Sequence, residues 1–281
     1  MSNQLDAITA SAVIYDSARR PPPAIEEIVQ LLRYRDLVLQ LVARNIKARY
    51  KRSMLGVVWT MLNPLLMMAV LTLVFSGLFN LRVPNYSVYL LAGLLLWQFF
   101  SQATLASTSE IIWGASLVKR IYVPRTIFAV AAVTNGLVNL VLALVPLSAI
   151  MLILGVPPSP AMAILPLSIL LVTMFTLGVA LVVSSLAVYF ADIAEIYQIG
   201  LTAWLYLTPI IYPLDIIPEH YRWLFELNPM YHLVTIFRTP LYLQTLPPLQ
   251  SVGVAALVSV ITLLVGWWFF TRSADEIAYR A

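Results

Sequence analysis

From residue 126 to residue 190 the chain carries no Asp, Glu, Lys, Arg or His. Two apolar runs fill that stretch, 126–154 and 161–190, on either side of the turn Gly155-Val156-Pro157-Pro158. About 20 helical residues cross the ~30 Å hydrocarbon core of a bilayer, so each run is long enough to span one. No soluble domain readily takes helices of this length that are apolar on every side, so this property decides the solvent in which the protein folds. Four more runs share it: 57–79, 89–108, 196–212 and 252–270, again without a charged side chain. The run 161–190 has length to spare for tilt or for a bend at Pro166. The run 196–212 is short and carries Pro209 and, just beyond its end, Pro213. The expectation is an all-α integral membrane protein with six transmembrane helices.

With 61% hydrophobic and 11% charged residues, the spans consume most of the chain and leave no room for a folded catalytic domain outside the bilayer. Cysteine is absent, which excludes a disulfide framework and a thiolate metal site. Residues 1–23 are polar and end in Pro21-Pro22-Pro23, with no apolar h-region. The first span is therefore expected to act as its own insertion signal.

Ahead of that span lies a basic amphipathic segment, 31–55. At helical period Arg33, Asp36, Gln40, Arg44, Lys47 and Lys51 share one face, and Leu31, Tyr34, Val38, Val42 and Ile46 the other. Such a helix suits a membrane surface, apolar side in the acyl boundary and cations near anionic headgroups. The pattern breaks past Ile46, where Arg49-Tyr50-Lys51-Arg52 leads to Gly56 and the first span.

Lys and Arg placement orients the spans. Before the first lie Arg19, Arg20, Arg33, Arg35, Arg44, Lys47, Arg49, Lys51 and Arg52. The loop between spans two and three adds Lys119, Arg120 and Arg125, and the tail adds Arg272 and Arg280. The opposite side holds Arg82, Arg222 and Arg238. Both termini are therefore expected in the cytoplasm. The layout becomes a cytoplasmic tail 1–30, a surface helix 31–55, a membrane domain 56–272 with an inner loop 109–125, and a cytoplasmic tail 273–281. Residues 214–250 fit neither a span nor a turn, mixing Asp215, Glu219, His220, Arg222, Glu226 and His232 with Trp223, Phe225, Tyr231 and Phe237. Short helices at the outer boundary, broken at Pro218, Pro229 and Pro240, answer both constraints.

Most catalytic chemistry is excluded. No G-x-x-x-x-G-K-[ST] phosphate loop and no G-x-S-x-G elbow occurs. His220 and His232 stand twelve positions apart without a further ligand cluster, which argues for interfacial histidines over a metal site. The span centres hold no ionisable group, the usual mark of ion-coupled transport, so energy must come from elsewhere. The segment 116–125 reads as a positive-inside anchor or as a docking helix for a cytoplasmic partner. Asp192 and Glu195 suit the dipole at the start of the fifth helix. Trp59, Phe75, Trp97, Trp204, Tyr206 and Tyr212 are belt aromatics or the lining of a path for sugar rings.

Four motifs carry a resemblance. They are Arg49-Tyr50-Lys51-x-Ser53-x-Leu55-Gly56-x-x-Trp59-x-x-x-Asn63-Pro64, Leu117-Val118-Lys119-Arg120-Ile121-Tyr122-Val123-Pro124-Arg125, Thr208-Pro209-Ile210-Ile211-Tyr212-Pro213 and Leu227-Asn228-Pro229-Met230. In order and position they resemble the membrane subunits of type-2 ABC exporters for lipid-linked polysaccharide, such as the O-antigen, capsule and teichoic acid permeases. One departure is Ala191, where that family often has arginine before the aspartate that follows span four.

The resemblance implies a permease that homodimerises in the bacterial inner membrane and pairs with two ATPase subunits. It has no cofactor of its own and no catalytic residue, and ATP and magnesium sit on the partner. Arg49, Lys51 and Arg52 would meet the pyrophosphate of the lipid-linked glycan. Trp59, Trp204, Tyr206 and Tyr212 would line the conduit along spans one and five. Leu117, Lys119, Arg120, Ile121, Tyr122 and Arg125 would belong to the coupling element, and Trp223, Asn228, Pro229 and Tyr231 to an outer gate within 214–250. A type-2 exporter of drugs or small lipids shares the fold. A membrane-embedded transferase acting on lipid-linked sugars and a passive channel are the rivals outside it.

Overall fold

The computed structural model describes residues 23–50, 56, 58–78, 83–118, 124–190 and 192–280, and these form helices and turns with no strand among them. In chain order the helices are α1 (Pro23–Arg33), α2 (Arg35–Tyr50), α3 (Val58–Thr72, continued in π-helical winding over Leu73–Leu78) and α4 (Tyr86–Val118). They continue with α5 (Thr126–Ile153), α6 (Leu165–Tyr189, preceded by a 3₁₀ turn Pro160–Ile164) and α7 (Ile193–Tyr206). The last three are α8 (Glu219–Glu226), α9 (Pro229–Tyr242) and α10 (Leu249–Arg280).

Four segments are long and apolar enough to cross a membrane: Tyr86–Ile111, Thr126–Ile153, Pro160–Tyr189 and Leu249–Ser273. They match the runs expected as spans two, three, four and six, with 126–154 and 161–190 each ending one residue sooner. The run 57–79 forms the shorter apolar helix Met61–Gly77, with Pro64 inside it and a change of winding at Leu73. The run 196–212 is helical only as far as Tyr206. Proline restricts the residue before it and has no N–H to continue the ladder, so the chain leaves the helix at Leu207 and turns through Thr208–Tyr212. At 14 residues α7 is about 21 Å long. The run 126–154 stops where expected, because Gly155 takes φ +72° and lets Val156 N–H reach back to Met151 O at 2.8 Å.

Small residues set the closest helix approaches. A Cβ on Gly178 of α6 would strike the backbone at Thr262 of α10, and one on Gly266 would strike the backbone of Gly178. Gly136 of α5 meets Ala103 and Phe99 of α4 in a similar way, with a built Cβ 2.9 Å from the Ala103 Cβ. Contacts of this kind let helix backbones pack closely in a solvent as apolar as their side chains.

Helix α9 packs inside the bundle and runs through Pro240, one of the breaks expected for 214–250. It is buried along Met230, His232, Leu233, Val234, Ile236 and Phe237, among α4, α6 and α10. Pro240 does not break it, and the reason is visible across the interface. Proline at 240 removes the N–H that would bond the carbonyl of residue 236, and Ser168 Oγ donates to Ile236 O at 3.0 Å instead. Ser168→Ala is therefore expected to lower stability by about 1–3 kcal/mol, the cost of an orphaned buried acceptor. Ser168→Ala combined with Pro240→Ala should recover most of that loss, because alanine restores the helical donor. Thermal unfolding of the four variants in one detergent reads the cycle, and simple additivity would contradict the compensation.

At the far end of α4, the stripe Leu31, Tyr34, Val38, Val42 and Ile46 is turned inward. Val38, Leu41 and Val42 of α2 pack with Ile111, Ile127, Phe128, Leu181 and Phe270 in a second, smaller core, and Leu31, Tyr34 and Ile46 lie against its edge. The apolar face thus meets the helix bundle itself. Arg33, Asp36, Gln40, Arg44 and Lys47 are on the exposed side.

Candidate functional site

Two polar assemblies stand at opposite ends of α4. The first is built around the turn after α7, where a chain leaving its helix in an apolar setting must find partners for freed carbonyls. Asn228 supplies them. As N-cap of α9, its Oδ1 accepts from Met230 N at 3.0 Å and from Trp204 Nε1 at 2.9 Å. Its Nδ2 donates to Leu207 O at 3.1 Å and to Thr208 Oγ1 at 2.9 Å. Tyr86 Oη donates to Ile211 O at 2.5 Å, and Tyr89 Oη reaches Tyr212 O at 3.0 Å and Pro209 O at 3.3 Å. Arg238 Nη1 donates to Pro209 O at 3.0 Å while its guanidinium lies 3.9 Å from the Tyr89 ring centroid. The turn is thus held from α4, α7 and α9 together, and beside it opens a cavity of about 630 Å³.

The second assembly lies about 31 Å from the first, the rise over 21 helical residues from Tyr89 to Glu110. Asn45 Nδ2 of α2 donates to Glu110 Oε1 at 2.8 Å, and Thr126 Oγ1 donates to Glu27 Oε2 of α1 at 2.6 Å. The N-terminal helices therefore hold both ends of the segment 109–125. Burial pushes the Glu27 carboxyl above the ordinary carboxylate range. The same desolvation lowers the Arg125 guanidinium from its usual value, and one of its nitrogens, Nη1, is buried without a hydrogen-bond partner.

The expected site residues fall into three groups. Lys51, Arg52, Lys119, Arg120, Ile121 and Tyr122 lie outside the described residues, as do the side chains of Arg49 and Leu117. Trp59 and Tyr206 are exposed, at 51% and 61%. Trp204 is half-buried instead, with Trp97, Phe100 and Phe175 packed against its ring at 6.1, 5.3 and 6.4 Å. Tyr212 donates its hydroxyl to Tyr206 O and meets the Phe225 ring edge-on. Trp223 is exposed on α8, Pro229 opens α9 beside its cap Asn228, and Tyr231 lines the cavity.

The sequence model of the ABC-2 type transporter family matches residues 36–242, a stretch that holds both assemblies except for Glu27. The chain belongs to the ABC-2 type transporter family. Among its relatives is the O-antigen export system permease protein RfbA of Myxococcus xanthus, 33% identical over 260 residues that cover 90% of this chain and 98% of the relative. A protein of the same name from Klebsiella pneumoniae is 27% identical over 84% of this chain and 92% of its own length. The capsule polysaccharide export inner-membrane protein CtrC of Neisseria meningitidis is 25% identical, over 84% and 90%.

Sequence reading missed two features of this ABC-2 chain. Arg238 and His232, counted with the outer surface, are only 9% and 5% exposed. His232 Nε2 lies 2.7 Å from Glu226 O, and Arg238 rests on Tyr89. Neither ionisable group sits in a predicted span, so a search of span centres passes over them. The signal available was the apolar series Leu233, Val234, Ile236, Phe237 around them, too dense for a surface helix.

Proposed function

We propose that this chain is the membrane subunit of an ABC exporter that carries lipid-linked polysaccharide out across the bacterial inner membrane. It does so as a homodimer, driven by two separate ATPase subunits that hold the ATP and magnesium. The observation that carries the reading is similarity over nearly the whole of both chains to a permease named for O-antigen export. The capsule export relative extends the cargo class from one kind of surface glycan to another.

The exposed faces of α3 and α7 support the dimer and its conduit. Asn63, Gln198 and Tyr206 are exposed on these apolar helices. Amide and hydroxyl groups facing acyl chains would be costly, whereas a hydrated passage between two copies would satisfy them. Trp59 and Tyr206 offer aromatic faces there for sugar rings. Trp204, enclosed by three other rings, serves as an anchor of the outer turn. Six crossings follow if α3 and α7 traverse the membrane within the dimer, which places both termini in the cytoplasm with the loop 109–125 facing the ATPase. The grip of α1 and α2 on both ends of that loop makes the surface helix a part that moves with it. Arg49, Lys51 and Arg52 then meet the pyrophosphate, arginine by paired hydrogen bonds and lysine as a point charge.

The test is ATP hydrolysis by the permease–ATPase complex in lipid, with and without lipid-linked glycan. Stimulation is expected in the wild type. Arg49→Gln with Lys51→Gln should reduce that stimulation at least fivefold while leaving assembly intact. Changes at Leu117, Ile121 or Tyr122 should instead uncouple or detach the ATPase. A complex that assembles and hydrolyses ATP but ignores glycan would move the cargo to drugs or small lipids.

A further inference from the structure

We propose that the cavity of about 630 Å³ beside the outer turn is a saccharide-binding site that holds one to three sugar residues of the chain as it leaves the conduit. This rests on the polysaccharide export reading and adds a site to it, lined by residues of a single copy of the chain. The size lies within the usual range for small-molecule pockets. The chemistry of the lining selects the ligand. Tyr231 and Tyr242 present rings, Arg238 a cation, Asp215 a carboxylate and Thr235 a hydroxyl. Tyr89 is buried with Arg238 over its ring, so Tyr231 and Tyr242 are the rings left to meet the C–H face of a pyranose.

Arg238 is the decisive group. It is 9% exposed, and it has no carboxylate within ion-pair distance among the described residues. A guanidinium carries five N–H donors. The contacts to the Pro209 carbonyl and the Tyr89 ring leave donors for acceptors inside the cavity it lines. Asp215, on another wall, is acceptor-only when ionised. A sugar hydroxyl both donates and accepts, so donor and acceptor walls facing one space match a polyol. An acyl chain would leave both charges without partners. An inorganic anion would satisfy Arg238 but be repelled by Asp215. Held here, the leading end of the glycan resists sliding back when the conduit resets.

The experiment uses the permease–ATPase complex in nanodiscs and free repeat-unit oligosaccharide, released from the surface polysaccharide of the cell that makes this protein. Saturation-transfer NMR and titration should show binding. Asp215→Asn, an exposed position that leaves the fold intact, should weaken it at least tenfold, and Arg238→Lys should weaken it further. Binding unchanged in Asp215→Asn, or no binding to wild type, overturns the proposal. So does displacement of the oligosaccharide by millimolar inorganic phosphate, which would make the cavity an anion site. Stimulation of hydrolysis by lipid-linked glycan, measured in the same nanodiscs, reports separately on export. Stimulation without oligosaccharide binding removes the cavity assignment alone. Absence of stimulation removes the export reading, while oligosaccharide binding lost in Asp215→Asn would still support the saccharide site.

Discussion

Gly266→Leu is expected to leave no folded permease in the membrane. A Cβ at 266 would strike the backbone of Gly178 on the facing helix. Backbone cannot rotate away as the end of a side chain can, so α6 and α10 would have to separate along the crossing. Inserting a few methylenes into a packed core commonly costs about 1–3 kcal/mol. Parting two helices along their contact costs more, against a total stability of about 5–15 kcal/mol. Gly178→Leu should behave alike, since a Cβ there strikes the backbone at Thr262 and Leu263. Gly253 gives the internal control: it is on the same α10 with nothing within 4 Å of a built Cβ. Gly253→Leu should accumulate near the wild-type level. Membrane yield and size-exclusion profiles of the variants in detergent measure this. Wild-type behaviour of Gly266→Leu would mean that the crossing is looser than the two glycines imply.

The contrast shows what kind of information the sequence held. Neither glycine stands out from its neighbours in the string of letters, because close approach is a relation between residues 88 positions apart. Four of the six expected spans were legible, since an uncharged run of about 20 residues has few uses other than crossing a bilayer. Helix α2 was half legible. Periodicity identified Leu31, Tyr34, Val38, Val42 and Ile46 as the dry face, but amphipathicity says only that a face is dried. Here Ile111, Ile127 and Phe270 dry it. Helix α9 was misread because Pro240 looked like a break. Its compensation comes from Ser168, on a helix 68 residues earlier. The candidate sites divide in the same way. Motif letters singled out 208–213 and 227–230, but the turn at the first, the cap at Asn228 and the cavity with Arg238 and Asp215 appear only after the chain has folded back on itself.

Asn228→Leu is expected to stop transport while the ATPase complex still forms. The asparagine fills its bonding capacity across three elements: it accepts from Trp204 and from the backbone of α9, and donates to Leu207 and Thr208. Leucine makes none of these bonds. It leaves an indole N–H without its acceptor at about 1–3 kcal/mol and removes a helix cap worth about 1 kcal/mol, whereas the bond to Leu207 O lies at the exposed surface. A total loss of about 2–4 kcal/mol falls on the turn after α7 and on the start of α9. The α1–α2 end, proposed to face the ATPase, lies about 31 Å along α4, so docking and basal ATP hydrolysis should persist while the proposed glycan export falls at least tenfold. Asn228→Asp separates capping from donation. A carboxylate still accepts from Trp204 and Met230, but it turns an acceptor toward the Leu207 carbonyl. The Thr208 hydroxyl cannot relieve this, because it already donates to Trp204 O at 2.9 Å. Export by the aspartate variant should therefore fall between wild type and leucine. Equal loss in both variants would make the donated bonds the essential ones, whereas full activity of the aspartate would leave only the cap and the Trp204 anchor.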